Sequence, residues 1–154
     1  MANKITSAVK FRVLFVCLGN SCRSPMAEAI ARHTASDVIA PTSAGTMALG
    51  FVAPLTQQVL QEREIEIEGL QSKSITGAMR RNADIIINMT GTEAHRIFRA
   101  EEGKTEDWIV QDPYGDQVEQ YRDTCDEIET RMAEFAARLR ARRGGTPARP
   151  VLTY

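Results

Sequence analysis

A cysteine and an arginine lie six positions apart in one short segment of this 154-residue chain. The segment runs from Cys17 to Ser24, with Arg23 just before its end. A guanidinium can hold two oxygens of a tetrahedral oxyanion, and successive backbone N–H groups in a tight turn bind the same kind of anion. A thiolate that faces such an anion is a nucleophile in position. The segment therefore predicts a cradle for a phosphoryl group, with Cys17 as the attacking residue.

The other residues of this segment have expected supporting roles. Gly19 permits a positive φ or a close backbone approach, and Asn20 can tie the loop together through its amide, with Ser43 as its expected partner. Ser24 has two open roles, N-cap of the following helix and hydroxyl donor to the Cys17 sulfur. The other residues that we expect to bind the phosphoryl group are Leu18, Ser21 and Cys22.

A second group must protonate the leaving atom, and Asp112 is the candidate. Pro113 stiffens its turn, while Trp108 and Tyr114 provide an apolar and aromatic setting that favours a protonated carboxyl. Taken alone, an Asp-Pro pair is more simply the start of a turn. We prefer the acid because the expected topology brings Asp112 to the sheet edge that carries Cys17. Asp112 would then also activate the water that hydrolyses a phosphocysteine.

Short apolar segments alternate with helical ones along the chain, which predicts an α/β fold with right-handed crossovers. We expect a doubly wound, four-stranded parallel sheet with helices on both faces, in a single domain. The predicted strands are Phe11–Val16, Val38–Thr42, Ala83–Met89 and Trp108–Val110. The predicted helices are Pro25 to about Ala35, Pro54–Arg63, one within Gln71–Arg81, Thr92 to about Ala100, and Val118–Arg142. Ligands of such sheets bind at the carboxyl ends of the strands, where the candidate residues fall.

The bulk composition is that of an ordinary globular protein, with 43% hydrophobic residues, 25% charged residues and a formal net charge of −1. It predicts neither nucleic-acid nor membrane binding. We predict one domain over residues 11–143 with flexible tails at 1–10 and 144–154. Three cysteines are too few for a secreted disulfide framework, so we expect a cytoplasmic protein with reduced thiols. His33 and His95 are isolated, and we predict no metal and no cofactor.

The motifs around these residues resemble those of the low-molecular-weight protein tyrosine phosphatases. The resemblance rests on Cys-x5-Arg-Ser-Pro at Cys17, Ser-Ala-Gly-Thr at Ser43 and Asp-Pro-aromatic at Asp112. It implies that Cys17 is the nucleophile, that Arg23 binds phosphate and stabilises the transition state, and that Asp112 is the general acid. It also implies phosphorylated protein substrates, and inorganic phosphate, sulfate or similar oxyanions in the loop. The supporting residues that it implies are Asn20, Ser24 and Ser43, with Tyr114 beside the pocket mouth.

Ser21 leaves the substrate open. Many tyrosine-specific members of the family have a branched aliphatic residue there, whereas the similar protein arginine phosphatases have threonine. A phosphotyrosine pocket needs flat apolar walls, for which Met47 and Phe51 are candidates. Phosphoarginine would favour a carboxylate near the pocket mouth. The family resemblance also implies a reversible disulfide between Cys22 and Cys17.

Two further functions compete with a phosphatase. The thioredoxin-coupled arsenate reductases share the cysteine loop, but they need two more cysteines close together after the third strand. Here only Cys125 follows, where a small buried residue is the simpler interpretation. A non-catalytic anion-binding module is the other alternative, and it requires an unreactive Cys17.

Overall fold

Four parallel strands form the centre of the computed structural model, which describes residues 9–144. The strands are β1 (Phe11–Cys17), β2 (Ile39–Gly45), β3 (Ile85–Asn88) and β4 (Thr105–Asp107). Their order across the sheet is β2-β1-β3-β4, and every neighbouring pair is parallel. The chain therefore winds outward from β1 in both directions, which confirms the predicted topology.

Helices cover both faces of this sheet. They are α1 (Arg23–Thr34), α2 (Pro54–Glu62), α3 (Gly77–Asn82), α4 (Ala94–Ile97) and α5 (Val118–Arg143), with a 3₁₀ helix at Arg99–Lys104. Successive side chains of β1 point to opposite faces. Val13 and Phe15 belong to a large core with residues of α1, α2 and α5, whereas Leu14 and Val16 pack with residues of α3 and α4. The predicted fold class is confirmed.

The last strand lies earlier than its predicted position at Trp108–Val110. Its pairing with β3 covers Thr105–Asp107, followed by one more bond from the Trp108 N–H to the Asn88 carbonyl at 2.9 Å. Met89 faces β1 rather than β4, since its N–H donates to the Val16 carbonyl at 2.7 Å. The Val110 carbonyl, at the end of the predicted strand, accepts a hydrogen bond from Arg23 Nη1 at 3.3 Å instead of one from a neighbouring strand. The chain leaves the sheet at this point and turns toward the loop that follows β1.

Other elements differ from the prediction in their length. β2 continues past Thr42 to Gly45 because its last residues pair with the end of β1. The helix expected over 92–100 is interrupted at Phe98, whose ring is buried and whose φ and ψ are −122° and 43°. The helix expected within 71–81 covers only Gly77–Asn82.

The predicted domain boundaries at residues 11 and 143 stay a prediction. Most of both predicted tails, residues 1–8 and 145–154, lies outside the described residues. Between residues 9 and 144, no helix is long and apolar enough to cross a membrane.

Candidate active site

The loop between β1 and α1 places the hydroxyl and the backbone N–H of Ser24 next to the sulfur of Cys17. Cys17 is the last residue of β1, and its Sγ lies 3.0 Å from Ser24 Oγ and 3.4 Å from the Ser24 N–H. Ser24 is therefore not the N-cap of α1, because that position belongs to Cys22, whose side chain makes no capping bond. The Ser24 hydroxyl, which is free of a capping role, contacts the sulfur instead. A helix N-terminus that points its N–H at a sulfur favours the negative thiolate.

Asn20 holds the loop in shape from the inside. Its φ of +48° lies in the left-handed region, which asparagine tolerates better than most residues. Its Nδ2 donates to Ser24 Oγ at 2.7 Å and to Ser43 Oγ at 3.1 Å, and its Oδ1 accepts the Lys73 N–H at 2.8 Å. The predicted pairing of Asn20 with Ser43 is present.

These hydrogen bonds have a fixed direction. Ser43 Oγ donates to the carboxylate of Glu28 at 2.5 Å, so it accepts from Asn20. Ser24 Oγ also accepts from Asn20 and keeps its own hydrogen for the Cys17 sulfur or, at 3.4 Å, for the Ala44 carbonyl. Glu28 is buried and was not among the predicted residues. The signal that could have found it is a glutamate on the buried side of α1.

Gly45 allows the loop to pack directly against the end of β2. A Cβ at this position would lie 2.6 Å from the Leu18 carbonyl oxygen and 2.8 Å from the Asn20 nitrogen. Such contacts are shorter than van der Waals separation, so a side chain here would displace the loop between β1 and α1. The requirement for glycine at position 19 is weaker than at Gly45, because a Cβ there would contact only the flexible Leu49 side chain, at 3.0 Å.

Arg23 lies beneath the loop and connects it to the other half of the sheet. Its side chain is 6% exposed, and its Nη1 donates to the carbonyls of Met89 at 2.6 Å and Val110 at 3.3 Å. Its Nη2 lies 3.2 Å from Asp112 Oδ2. The buried Nε has no hydrogen-bond partner among the described residues, which leaves a donor for an oxyanion.

Asp112 reaches the site from the segment between β4 and α5. Its Oδ1 accepts the Tyr114 N–H at 3.1 Å, which closes the tight turn expected of an Asp-Pro pair. The Thr124 hydroxyl of α5 donates to the Gln111 carbonyl at 3.2 Å and holds the segment from behind. The Asp112 side chain is 42% exposed, so it is open to solvent while it contacts Arg23.

The predicted residues converge on one pocket of about 190 Å³. Its lining comprises Cys17, Leu18, Gly19, Ser21, Cys22, Arg23, Met47, Leu49, Asp112 and Tyr114. Met47 is a wall residue as expected, whereas Phe51 lies outside the pocket and Leu49 takes the expected place. Periodicity could not separate these two residues, since both belong to a loop. Asn20, Ser24 and Ser43 stand behind the lining, as residues that support the loop.

The remaining thiols are free and buried. Cys22 Sγ lies 3.7 Å from the Tyr121 hydroxyl, and burial raises the pKa of its thiol. Burial likewise raises the pKa of Cys125 to about 12. Within residues 9–144, no group of three or more His, Cys, Asp or Glu side chains could hold a metal ion. His33 and His95 are both exposed on helices.

Residues 12–144 match the family model described as "Low molecular weight phosphotyrosine protein phosphatase". The chain belongs to this family. A probable low molecular weight protein-tyrosine-phosphatase, EpsP of Ralstonia solanacearum, is 32% identical over 140 residues, which cover 84% of this chain and 96% of EpsP. An arsenate reductase of Bacillus subtilis is 33% identical over 143 residues, which cover 88% of this chain and 97% of the reductase.

The structural comparison gives the same fold. The YwlE arginine phosphatase from Geobacillus stearothermophilus aligns with a TM-score of 0.78 at 29% identity, covering 86% of this chain and 94% of the other. Relatives named for three different activities thus share this phosphatase-family fold. The activity of this chain has to be argued from its own pocket.

Proposed function

We propose that this protein is a cysteine-dependent protein phosphatase that works through a phosphocysteine intermediate. The observation that carries the proposal is the donor arrangement at Cys17, whose sulfur meets Ser24 Oγ at 3.0 Å and the α1 N-terminus at 3.4 Å. These donors stabilise the thiolate that attacks phosphorus. Arg23 supplies charge to the equatorial oxygens in the transition state. Asp112 protonates the leaving oxygen or nitrogen and then deprotonates the water that releases phosphate.

The walls of the pocket favour phosphotyrosine as the substrate group. Leu18, Met47, Leu49 and Tyr114 surround the entrance, and each of them is more than two-fifths exposed. A phenyl ring can lie against such side chains with little loss of hydration. The primary proposal is therefore a phosphatase that hydrolyses phosphotyrosine in proteins.

One observation favours phosphoarginine as the second candidate. Ser21 belongs to the pocket lining, and its hydroxyl is buried without a hydrogen-bond partner among the described residues. A polar substrate such as a phosphorylated guanidinium could satisfy it, with the carboxylate of Asp112 on the same pocket wall. This alternative keeps the same nucleophile and the same acid.

Arsenate reduction has less support from the site. The third cysteine, Cys125, lies in α5, is fully buried and does not line the pocket. An intramolecular thiol relay needs sulfur atoms within disulfide reach of one another. The phosphatase proposal includes a cytoplasmic location, which the three free thiols support. It also includes binding of oxyanions such as phosphate or sulfate, which the unpartnered Arg23 Nε supports.

Replacement of the nucleophile tests the proposal. We expect Cys17→Ser to lower turnover of p-nitrophenyl phosphate by roughly 10⁴-fold or more, since the intermediate can no longer form on sulfur. In the wild type, acid quenching during turnover should trap one phosphate on Cys17, detected by mass spectrometry. Cys125→Ser is the matched control and should retain activity. Undiminished turnover by the Cys17 variant would overturn the proposal. Arsenate-dependent oxidation of thioredoxin by this protein, without release of phosphate from phosphorylated substrates, would overturn it as well.

A further inference from the structure

Large exposed apolar side chains are concentrated around the pocket mouth. Seven such side chains occur among the described residues, and five of them are at or next to the mouth. The five are Leu18, Met47, Leu49, Phe51 and Tyr114. Phe51, which is 47% exposed, does not line the pocket itself. Its exposure is therefore not explained by contact with the phosphorylated residue.

The loop that carries Phe51 is fixed to the phosphate-binding loop. The backbone N–H groups of Met47 and Leu49 donate to the carbonyls of Leu18 and Gly19 at 2.8 and 2.9 Å. The Gly50 N–H donates to Ser72 Oγ at 3.0 Å, and that hydroxyl donates to Gly19 at 3.0 Å. The exposed apolar side chains therefore belong to a surface preorganised relative to the bound phosphoryl group.

A second depression begins where the pocket wall ends. It has a volume of about 430 Å³, and Phe51 forms one of its sides. The other lining residues are Gly50, Val52, Gln57, Ile67, Leu70, Gln71 and Ser72. Leu49 of the pocket and Phe51 of this groove are two residues apart, so their Cα atoms are within about 7 Å. That distance equals the Cα spacing between next-but-one residues of an extended substrate.

The groove is also electrically neutral. Residues 38–61 contain no Asp, Glu, Lys, Arg or His, in a chain that is 25% charged. None of the groove-lining residues is charged, and the residues on either side of Ile67 are glutamates. An acidic side chain placed here would lose hydration without gaining a counter-ion from the lining, and the neighbouring glutamates would repel it.

We propose that this groove binds a large apolar side chain of the protein substrate, located one or two residues from the phosphorylated residue. The inference rests on the proposed phosphatase function and adds a sequence preference to it. Phe51 acts here as a specificity-determining residue that contacts the substrate outside the reacting centre.

A peptide series tests the proposal. The probes are phosphotyrosine peptides with Leu, Ser, Glu or Lys placed one or two residues to either side, or the same series on phosphoarginine if that is the better substrate. We expect Leu at one position to give the highest kcat/KM. Phe51→Ser should lower kcat/KM for that Leu peptide by roughly 5- to 30-fold, since the lost contact is apolar burial. Turnover of p-nitrophenyl phosphate, which has no neighbouring residue, should stay within about twofold.

The matched control is Val9→Ser, which removes another exposed apolar side chain, 81% exposed, at the opposite end of β1. It should change neither kcat/KM for the Leu peptide nor turnover of p-nitrophenyl phosphate. Equal kcat/KM for Leu and Ser peptides would overturn the inference while p-nitrophenyl phosphate turnover still supports the phosphatase. Preference for Glu or Lys, or an equal loss on every substrate in Phe51→Ser, would overturn it as well. If the wild type self-associates in solution and Phe51→Ser abolishes this without changing the peptide preference, the surface binds a second copy of the chain and the inference is overturned.

Discussion

Ser21 is the residue at which the choice of substrate can be tested. It is 2% exposed and belongs to the pocket lining, and its buried hydroxyl has no partner among the described residues. We expect Ser21→Ile to raise the ratio of kcat/KM on phosphotyrosine peptide to that on phosphoarginine peptide by about tenfold or more, because it adds apolar bulk and removes the polar group. The measurement is steady-state kinetics on paired peptides.

A second variant separates the two causes. Ser21→Ala removes the hydroxyl without adding bulk, so a shift in both variants assigns the effect to the hydroxyl. A shift in the isoleucine variant alone assigns it to shape. If both variants keep the wild-type ratio, Ser21 does not select the substrate.

The proposed acid and the proposed nucleophile come from different elements of the fold. Asp112 follows β4 and is held from α5, whereas Cys17 ends β1, and the 3.2 Å contact between Asp112 and Arg23 joins the two halves. We expect Asp112→Asn to lower turnover of phenyl phosphate, a poor leaving group, by roughly 10²- to 10⁴-fold. The loss with p-nitrophenyl phosphate should be clearly smaller, since that leaving group departs without a proton.

Asp116→Asn is the control for this comparison, because Asp116 lies in the same segment but does not line the pocket. It should leave both rates near wild type. Equal losses on the two substrates in Asp112→Asn would mean that Asp112 orients Arg23 rather than donating a proton.

At the scale of the whole molecule, the C-terminal end of α5 packs at the end of the sheet opposite to the pocket. Arg140 makes two bonds of 2.8 Å to Asp37, and these bonds hold the pKa of that carboxyl at about 2. The folded-state pKa is lowered, so the pair stabilises the fold above the unfolded-state pKa of about 4. The stabilisation is lost as the pH falls from about 4 to 2.

We therefore expect Asp37→Asn to lower the melting temperature by roughly 1 to 3 °C at pH 6, a small effect because the pair is half exposed. The difference from wild type should shrink below pH 4. Asp123→Asn changes an exposed carboxylate that has no ion-pair partner within residues 9–144 and should show no such trend. A pH-independent difference in Asp37→Asn would contradict the ion-pair explanation.

Local chemistry explains why so much of the sheet and the loop could be predicted. The apolar run before Cys17, the Ser-Pro pair that follows Arg23 and the Asp-Pro turn at Asp112 each express a short-range preference. Parallel strands with helical crossovers then meet at one edge for topological reasons. These features by themselves determined the fold class, the phosphate loop and the pair of Cys17 and Asp112.

The tertiary structure decided what depends on contacts between distant segments. It placed β4 at Thr105–Asp107 rather than at Trp108–Val110, where the Val110 carbonyl binds the Arg23 side chain instead of a neighbouring strand. It placed Leu49 in the pocket wall and Phe51 beside it, since a loop without periodicity takes its shape from its anchors. It also added the carboxylate of Glu28 behind Ser43. Local propensity carries no information about such long-range partners, and these partners position the Asn20 and Ser24 side chains behind Cys17.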